Sequence, residues 1–170
     1  MTGSFDDDLL TKAPVGELLG LYSRLLLELR ERGVLRTNNP PSGDYAEWLV
    51  ARAFGVPLEP NSNHSYDLVC GEYGKVQVKA RVASPGGGAG ERQSSPFRSD
   101  GFDHAALVLF NQADYSVVSA VMLPIDAVKE RWKHRAHVNG HVIHMNGPTM
   151  KHPSAVDIAD LLVGASTRRE

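Results

Sequence analysis

A mixed α/β fold, with a central sheet covered by helices, is the architecture this sequence predicts, and three observations predict it. Two helix-period segments come first, at about 15–32 and 42–54. Four short apolar or β-branched runs follow, at 66–70, 75–82, 105–110 and 116–123, parted by glycine-rich or polar turns. A helix, a late hairpin and a final helix close the chain, so one mixed sheet has helices on both sides of it in sequence. The 170 residues, 42% hydrophobic and 22% charged, suit one domain with a real core. Its expected parts are an N-terminal helical extension (1–36), a core (42–134) and a C-terminal hairpin and helix (135–170).

The first helix carries Leu18, Leu19, Tyr22, Leu25, Leu26 and Leu29 on one stripe and meets Gly33 as its stop. Thr37-Asn38-Asn39-Pro40-Pro41 breaks the chain. Ser42 is placed to cap a second helix that runs to Phe54 and ends at Gly55, with Ala46, Leu49, Val50 and Ala53 as its buried stripe. Gly71 to Gly74 joins the first two strands as a hairpin. The segment from Ser84 through Gly86-Gly87-Gly88-Ala89-Gly90 reads as a mobile polar loop reaching about Asp103. Pro124 is expected to open a helix to about His134, and Asn139-Gly140 a two-residue hairpin turn. Ser154 is expected to cap the last helix, with Asp157 at its third position.

Composition excludes some classes of function. No run of about eighteen apolar residues exists to span a membrane, and Asp6-Asp7-Asp8 is the opposite of a secretory n-region. The single cysteine, Cys70, forms no internal disulfide and anchors no zinc ribbon; it reads as a small core residue in a cytoplasmic protein. The net charge of −2 is unevenly spread: residues 1–67 hold ten acids against six Lys/Arg, residues 68–152 seven acids against ten. A local basic surface of that kind permits a nucleic-acid partner.

The chemistry concentrates around the first hairpin. Gln77 and Lys79 are two apart and share one face of a strand, while Val76, Val78 and Ala80 share the other. Asp67 joins Gln77 and Lys79 only if the turn has odd length. A three-residue turn 72–74, with Gly74 at positive φ, meets that condition and sets Asp67 opposite Lys79. Glu47, beside the buried stripe of the second helix, adds a second acid. Two carboxylates, an amide oxygen and a carbonyl such as that of Val78 suit magnesium or manganese, with Lys79 alongside to orient a water or neutralise charge on a phosphorane.

Gly43-Asp44-Tyr45-Ala46-Glu47, Tyr66-Asp67 and Gln77-Val78-Lys79 together resemble the PD-(D/E)xK, or restriction-endonuclease-like, nuclease superfamily. In that resemblance Asp67 is the metal-binding aspartate, Gln77 stands where the family usually has Glu or Asp, Lys79 is the catalytic lysine and Glu47 the helix acid. The resemblance spans roughly 42–124 and implies a restriction-endonuclease-like αβββαβ core, magnesium dependence and a DNA substrate. A metal-dependent endonuclease is therefore expected, with Glu47, Asp67, Gln77 and Lys79 as the catalytic set and Glu47, Asp67 and Gln77 as metal ligands. The alternative is a nuclease-fold module that binds nucleic acid or a protein partner without cutting.

Other residues are secondary. Arg81 continues the face of Gln77 and Lys79, and Arg98 lies in the long loop; both are candidates for holding nucleic-acid phosphates. His134, His137, His141 and His144 straddle the Asn-Gly turn without a Cys or acid at ligand spacing, which fits a polar hairpin better than a metal site. Lys129, Arg131, Lys133 and Arg135 are expected on a solvated helix face, from which they could follow a nucleic-acid backbone. The leucine-rich first helix is a candidate homodimer contact.

Overall fold

The computed structural model describes residues 7–62 and 65–168, and the chain divides into two compact units, Met1–Pro41 and Ser42–Glu170. In the first unit α1 (Asp7–Lys12) precedes α2 (Val15–Glu31). Gly33, at φ +70°, ends α2 as expected, with Gly33 N–H on Arg30 O (2.9 Å) and Val34 N–H on Leu29 O (2.9 Å). No residue of α2 is buried: Leu19, Tyr22 and Leu25 of its stripe are exposed, and Leu18, Leu26 and Leu29 are half-buried.

The second unit is built on a five-stranded mixed sheet. Its elements are α3 (Ser42–Phe54), β1 (Leu68–Cys70), β2 (Gly74–Ala83), β3 (His104–Asn111), β4 (Val117–Pro124), α4 (Ile125–Arg131), β5 (Lys133–Arg135), β6 (Gly140–Val142), α5 (Gly147–Met150), β7 (Val156–Asp157) and α6 (Ala159–Thr167). The sheet order is β1-β2-β3-β4-β7, with β2 and β3 parallel and the other neighbours antiparallel. β5 and β6 pair as a separate hairpin.

Alternation along the strands sorts the core into two layers. Val76, Val78, Ala106, Val108, Ala120 and Met122 face α3 and α6, which contribute Leu49, Val50, Leu162 and Ala165. Ala105, Leu107, Val121 and Leu123 face the other way, onto Ala127 and Val128 of α4, Phe97, Phe102, Ile143 and Met145.

Several local expectations are corrected. The hairpin turn is 71–73 rather than 72–74, since Cys70 pairs with Gly74 and Leu68 with Val76. Gly74, at φ +65°, is the first residue of β2, and a Cβ there would collide with the Asp103 carboxylate, which accepts from Lys75 N–H (2.8 Å). The turn nevertheless has odd length. The segment 84–103 is not a free polar loop: it contains a 3₁₀ turn at Ala89–Arg92 and buries Phe97 and Phe102 in the second layer. Helix α4 stops at Arg131, because Trp132 is extended and leads into β5; Lys133 and Arg135 therefore sit on a strand. Arg135 pairs with Gly140, which makes the late turn four residues long, with Asn139 left-handed at φ 45°. Ser154 caps nothing: Asp157 lies in β7, paired with Val121, and its Oδ1 accepts from Ala159 N–H (2.8 Å) at the start of α6.

Candidate active site

β2 is longer than its neighbour β1, and the site lies where that mismatch begins. The β1–β2 ladder ends at the pair Leu68–Val76, while β2 runs on to Ala83 beside β3 alone. In an extended strand a residue's N–H and C=O point to the same edge. Val76 directs its carbonyl to the β1 side, where it accepts from Asp67 N–H (2.8 Å), so Val78, two residues on, presents its N–H and C=O to the same edge. The Asp67 carboxylate takes the first of these groups: Oδ2 accepts from Val78 N–H at 2.7 Å. Asp67 C=O in turn accepts from Glu59 N–H (2.8 Å), beside the bridge between Leu58 and Leu68. Three hydrogen bonds thus fix Asp67 just outside the strand end. Its carboxylate is bonded between Gln77 and Lys79 rather than across from Lys79, the result of the shifted turn.

Gln77 and Lys79 alternate with the core residues Val76 and Val78 and turn to the second layer. There they line a cavity of about 510 Å³ with Ser95, Pro96 and Arg98. Gln77 is only 6% exposed, and among the described residues its Oε1 has no hydrogen-bond partner. A buried acceptor left unmade costs about 1–3 kcal/mol, so its presence is not explained by stability.

Lys79 donates from Nζ to the Pro96 carbonyl (3.3 Å) and lies over the Phe97 ring, 5.1 Å from its centroid. Burial pushes its pKa below the ordinary lysine value; the charges of Asp67 and Glu47 oppose that shift and Arg98 adds to it. Glu47, half-buried on α3 next to fully buried Ala46, therefore acts on the same ammonium as Asp67. Lys79 is the residue the others share: Gln77 lines the same cavity, and the charges of Asp67 and Glu47 both act on its ammonium.

The two candidate arginines divide. Arg98 is exposed on the cavity wall. Arg81 donates from Nε to the Gln93 carbonyl, tying β2 to the long segment that covers it. Sequence reasoning missed that segment's contribution: Pro96 and Phe97 hold Lys79, and Ser95 adds a hydroxyl to the wall. The visible signal was a single phenylalanine between Pro96 and Arg98 in an otherwise polar stretch. The histidine-rich hairpin forms, with His134 paired to His141 and the latter ring stacked on Trp132 at 4.5 Å.

The Asp67 carboxylate and the edge-facing Val78 carbonyl, with the Glu47 carboxylate and the Gln77 amide as further candidates, are hard oxygen donors of the kind that fits magnesium or manganese. Among the described residues no group of three or more His, Cys, Asp or Glu side chains is placed to hold a metal. No family model matches this chain, and no curated protein matches it either.

Proposed function

We propose that this chain is a metal-dependent phosphodiester hydrolase of the restriction-endonuclease-like type, an endonuclease acting on DNA. The observation that carries this reading is the Asp67 carboxylate bonded to Val78 N–H, between Gln77 and Lys79, with Glu47 acting on the same lysine. The orphaned Gln77 Oε1 supports it further, since a cation is one species that would satisfy an enclosed oxygen.

A divalent cation held by Asp67, Glu47, Gln77 Oε1 and the Val78 carbonyl would supply Lewis acidity and a lowered pKa for a bound water. The remaining work falls to the chain. Asp67, hydrogen-bonded through backbone and side chain, is preorganised and needs no reordering when a substrate arrives. Lys79 carries the positive charge beside the scissile phosphate and stabilises the extra negative charge of the phosphorane, its Nζ leaving the long bond to Pro96 O for a phosphate oxygen or the attacking water. Phe97 below the ammonium shields it from bulk water and strengthens that interaction. Arg98 on the wall is positioned to take a neighbouring phosphate of the same strand.

The test is a nicking assay with Mg²⁺ or Mn²⁺ over supercoiled, single-stranded and branched DNA, with RNA forms beside them. Cleavage of a DNA form that Asp67→Ala removes is expected. Absence of cleavage in every form, with metal binding still abolished by Asp67→Ala, would favour a binding module that has kept the site and lost the turnover.

A further inference from the structure

A second cavity lies away from Gln77 and Lys79. It measures about 490 Å³, and its walls come from the end of α4, the start of β5, α5 and Ala89 of the long segment. Its chemistry is donor-rich. Arg131 and Lys133 supply two fixed positive charges, and His144 a ring nitrogen. Arg131 Nε and Trp132 Nε1 are enclosed N–H donors with no acceptor among the described residues. Asn146 spends its Oδ1 on Thr149, accepting from the backbone N–H (3.3 Å) and the hydroxyl (3.1 Å), which leaves the amide NH₂ as its other polar group. The one carboxylate in the wall, Glu130, sits 3.2 Å from His152 Nε2.

Two enclosed donors without acceptors among the described residues are each unfavourable, and two cations face one acid that already has a partner. A ligand that fits must bring acceptor oxygens and negative charge. Arginine's planar fork and a neighbouring lysine match a phosphate group. A carboxylate would satisfy fewer donors.

The covering segment links this cavity to the candidate active site. Ala89 lines the second cavity, while Ser95, Pro96 and Arg98 line the first. Between them the segment is bonded along 141–145: Ser94 N–H to Ile143 O (2.8 Å), Phe97 N–H to His141 O (2.7 Å) and Met145 N–H to Arg92 O (2.9 Å). A strand crossing this segment would meet cationic walls on both sides of it.

We infer that the cavity of Arg131, Trp132, Lys133 and His144 is a phosphate-binding subsite for a nucleic-acid strand, distinct from the Gln77–Lys79 cavity. Binding of phosphate here does not depend on the hydrolase reading; only the continuity of the strand between the two cavities does. The chain has two tryptophans, Trp48 and Trp132, so Trp48→Phe leaves Trp132 as the sole reporter in the cavity wall.

The experiment titrates full-length Trp48→Phe protein with a single-stranded oligodeoxynucleotide, and separately with inorganic phosphate and with a mononucleotide. Metal is omitted throughout, so no cleavage enters. A saturable change in Trp132 fluorescence with the oligonucleotide is expected. Lys133→Ala, at an exposed position, should weaken it severalfold without touching the fold. Adding Arg131→Gln should lower the slope of log affinity against log salt by about 1.4, the value for two lost single-strand phosphate contacts. Asp67→Ala should leave the Trp132 signal unchanged, which separates this site from the catalytic reading. A fluorescence change that neither cationic substitution weakens would overturn the inference, as would no change with any probe. Inorganic phosphate or the mononucleotide binding as tightly as the oligonucleotide would overturn its assignment to a strand.

Discussion

The two faces of β2 are made by alternate residues of one strand, and they differ in kind. Val76 and Val78 lie in an apolar layer with α3 and α6. Gln77, as buried as Val78, and the half-buried Lys79 lie on the other side, where they line a cavity: the Gln77 Oε1 has no hydrogen-bond partner among the described residues and the Lys79 ammonium lies over an aromatic ring. Burial on the first face lowers free energy in the ordinary way, by removing apolar surface from water. Burial on the second costs free energy, because among the described residues Gln77 Oε1 has no hydrogen-bond partner and Lys79 carries charge into a shielded place. A fold keeps such a face at a cost to stability; on the proposed reading, that cost serves a metal site to which Asp67 and Glu47 would contribute.

That contrast can be broken most severely on the apolar side. Leu162→Ala, at a fully buried position of α6, should lower stability by about 2–5 kcal/mol in denaturant melts while sparing the rate per folded molecule. Lys79→Ala should do the reverse. Its melt should be no worse than wild type, while its nicking rate falls about 10²–10³-fold, the usual loss for one preorganised group at developing charge. Equal losses of stability from both substitutions would erase the distinction between the faces.

Gln77 offers a finer cut. Gln77→Met removes the orphaned acceptor at similar volume and should stabilise the metal-free protein by about 1 kcal/mol, with metal binding weakened in calorimetry. Gln77→Glu should tighten Mn²⁺ binding, since it adds a charge to the donor set. A Gln77→Glu variant that bound no better would argue that Gln77 does not face the ion.

The smallest effect expected is a pH dependence. The folded Lys79 pKa lies below the ordinary 10.5, so between that folded value and 10.5 the unfolded state binds more protons. Wild type should therefore gain stability relative to Lys79→Met as pH rises through this window, and the difference present at lower pH should shrink. Nicking should fall on the same alkaline limb, as the ammonium is lost. A stability difference that stays flat up to pH 10.5 would contradict the shift.

Much of the fold was open to reading from the residues. Helix α3 and its stop at Gly55, the core strands β2 to β4 and the odd parity of the first turn all follow from periodicity and from one glycine at positive φ. The exact register was not, because Asp103, 29 residues beyond Gly74, decides how closely the chain approaches that glycine. The two-residue strand β7 is too short to show a period, and Asp157 reads as a cap until Val121 is seen beside it. Of the candidate site, Glu47, Asp67, Gln77 and Lys79 are proposed from their types and spacing. The bonds that hold Lys79 could not be read that way, since Pro96 and Phe97 come from a segment whose glycines suggest freedom and whose phenylalanines anchor it.

The most direct measurement is a calorimetric titration of the metal-free protein with Mn²⁺, because it needs no knowledge of the nucleic-acid form that is cut. Saturable binding by wild type, abolished in Asp67→Ala and retained in Lys79→Ala, is the expected result. No binding by wild type, or binding that Asp67→Ala leaves unchanged, would contradict a metal site on the polar face of β2.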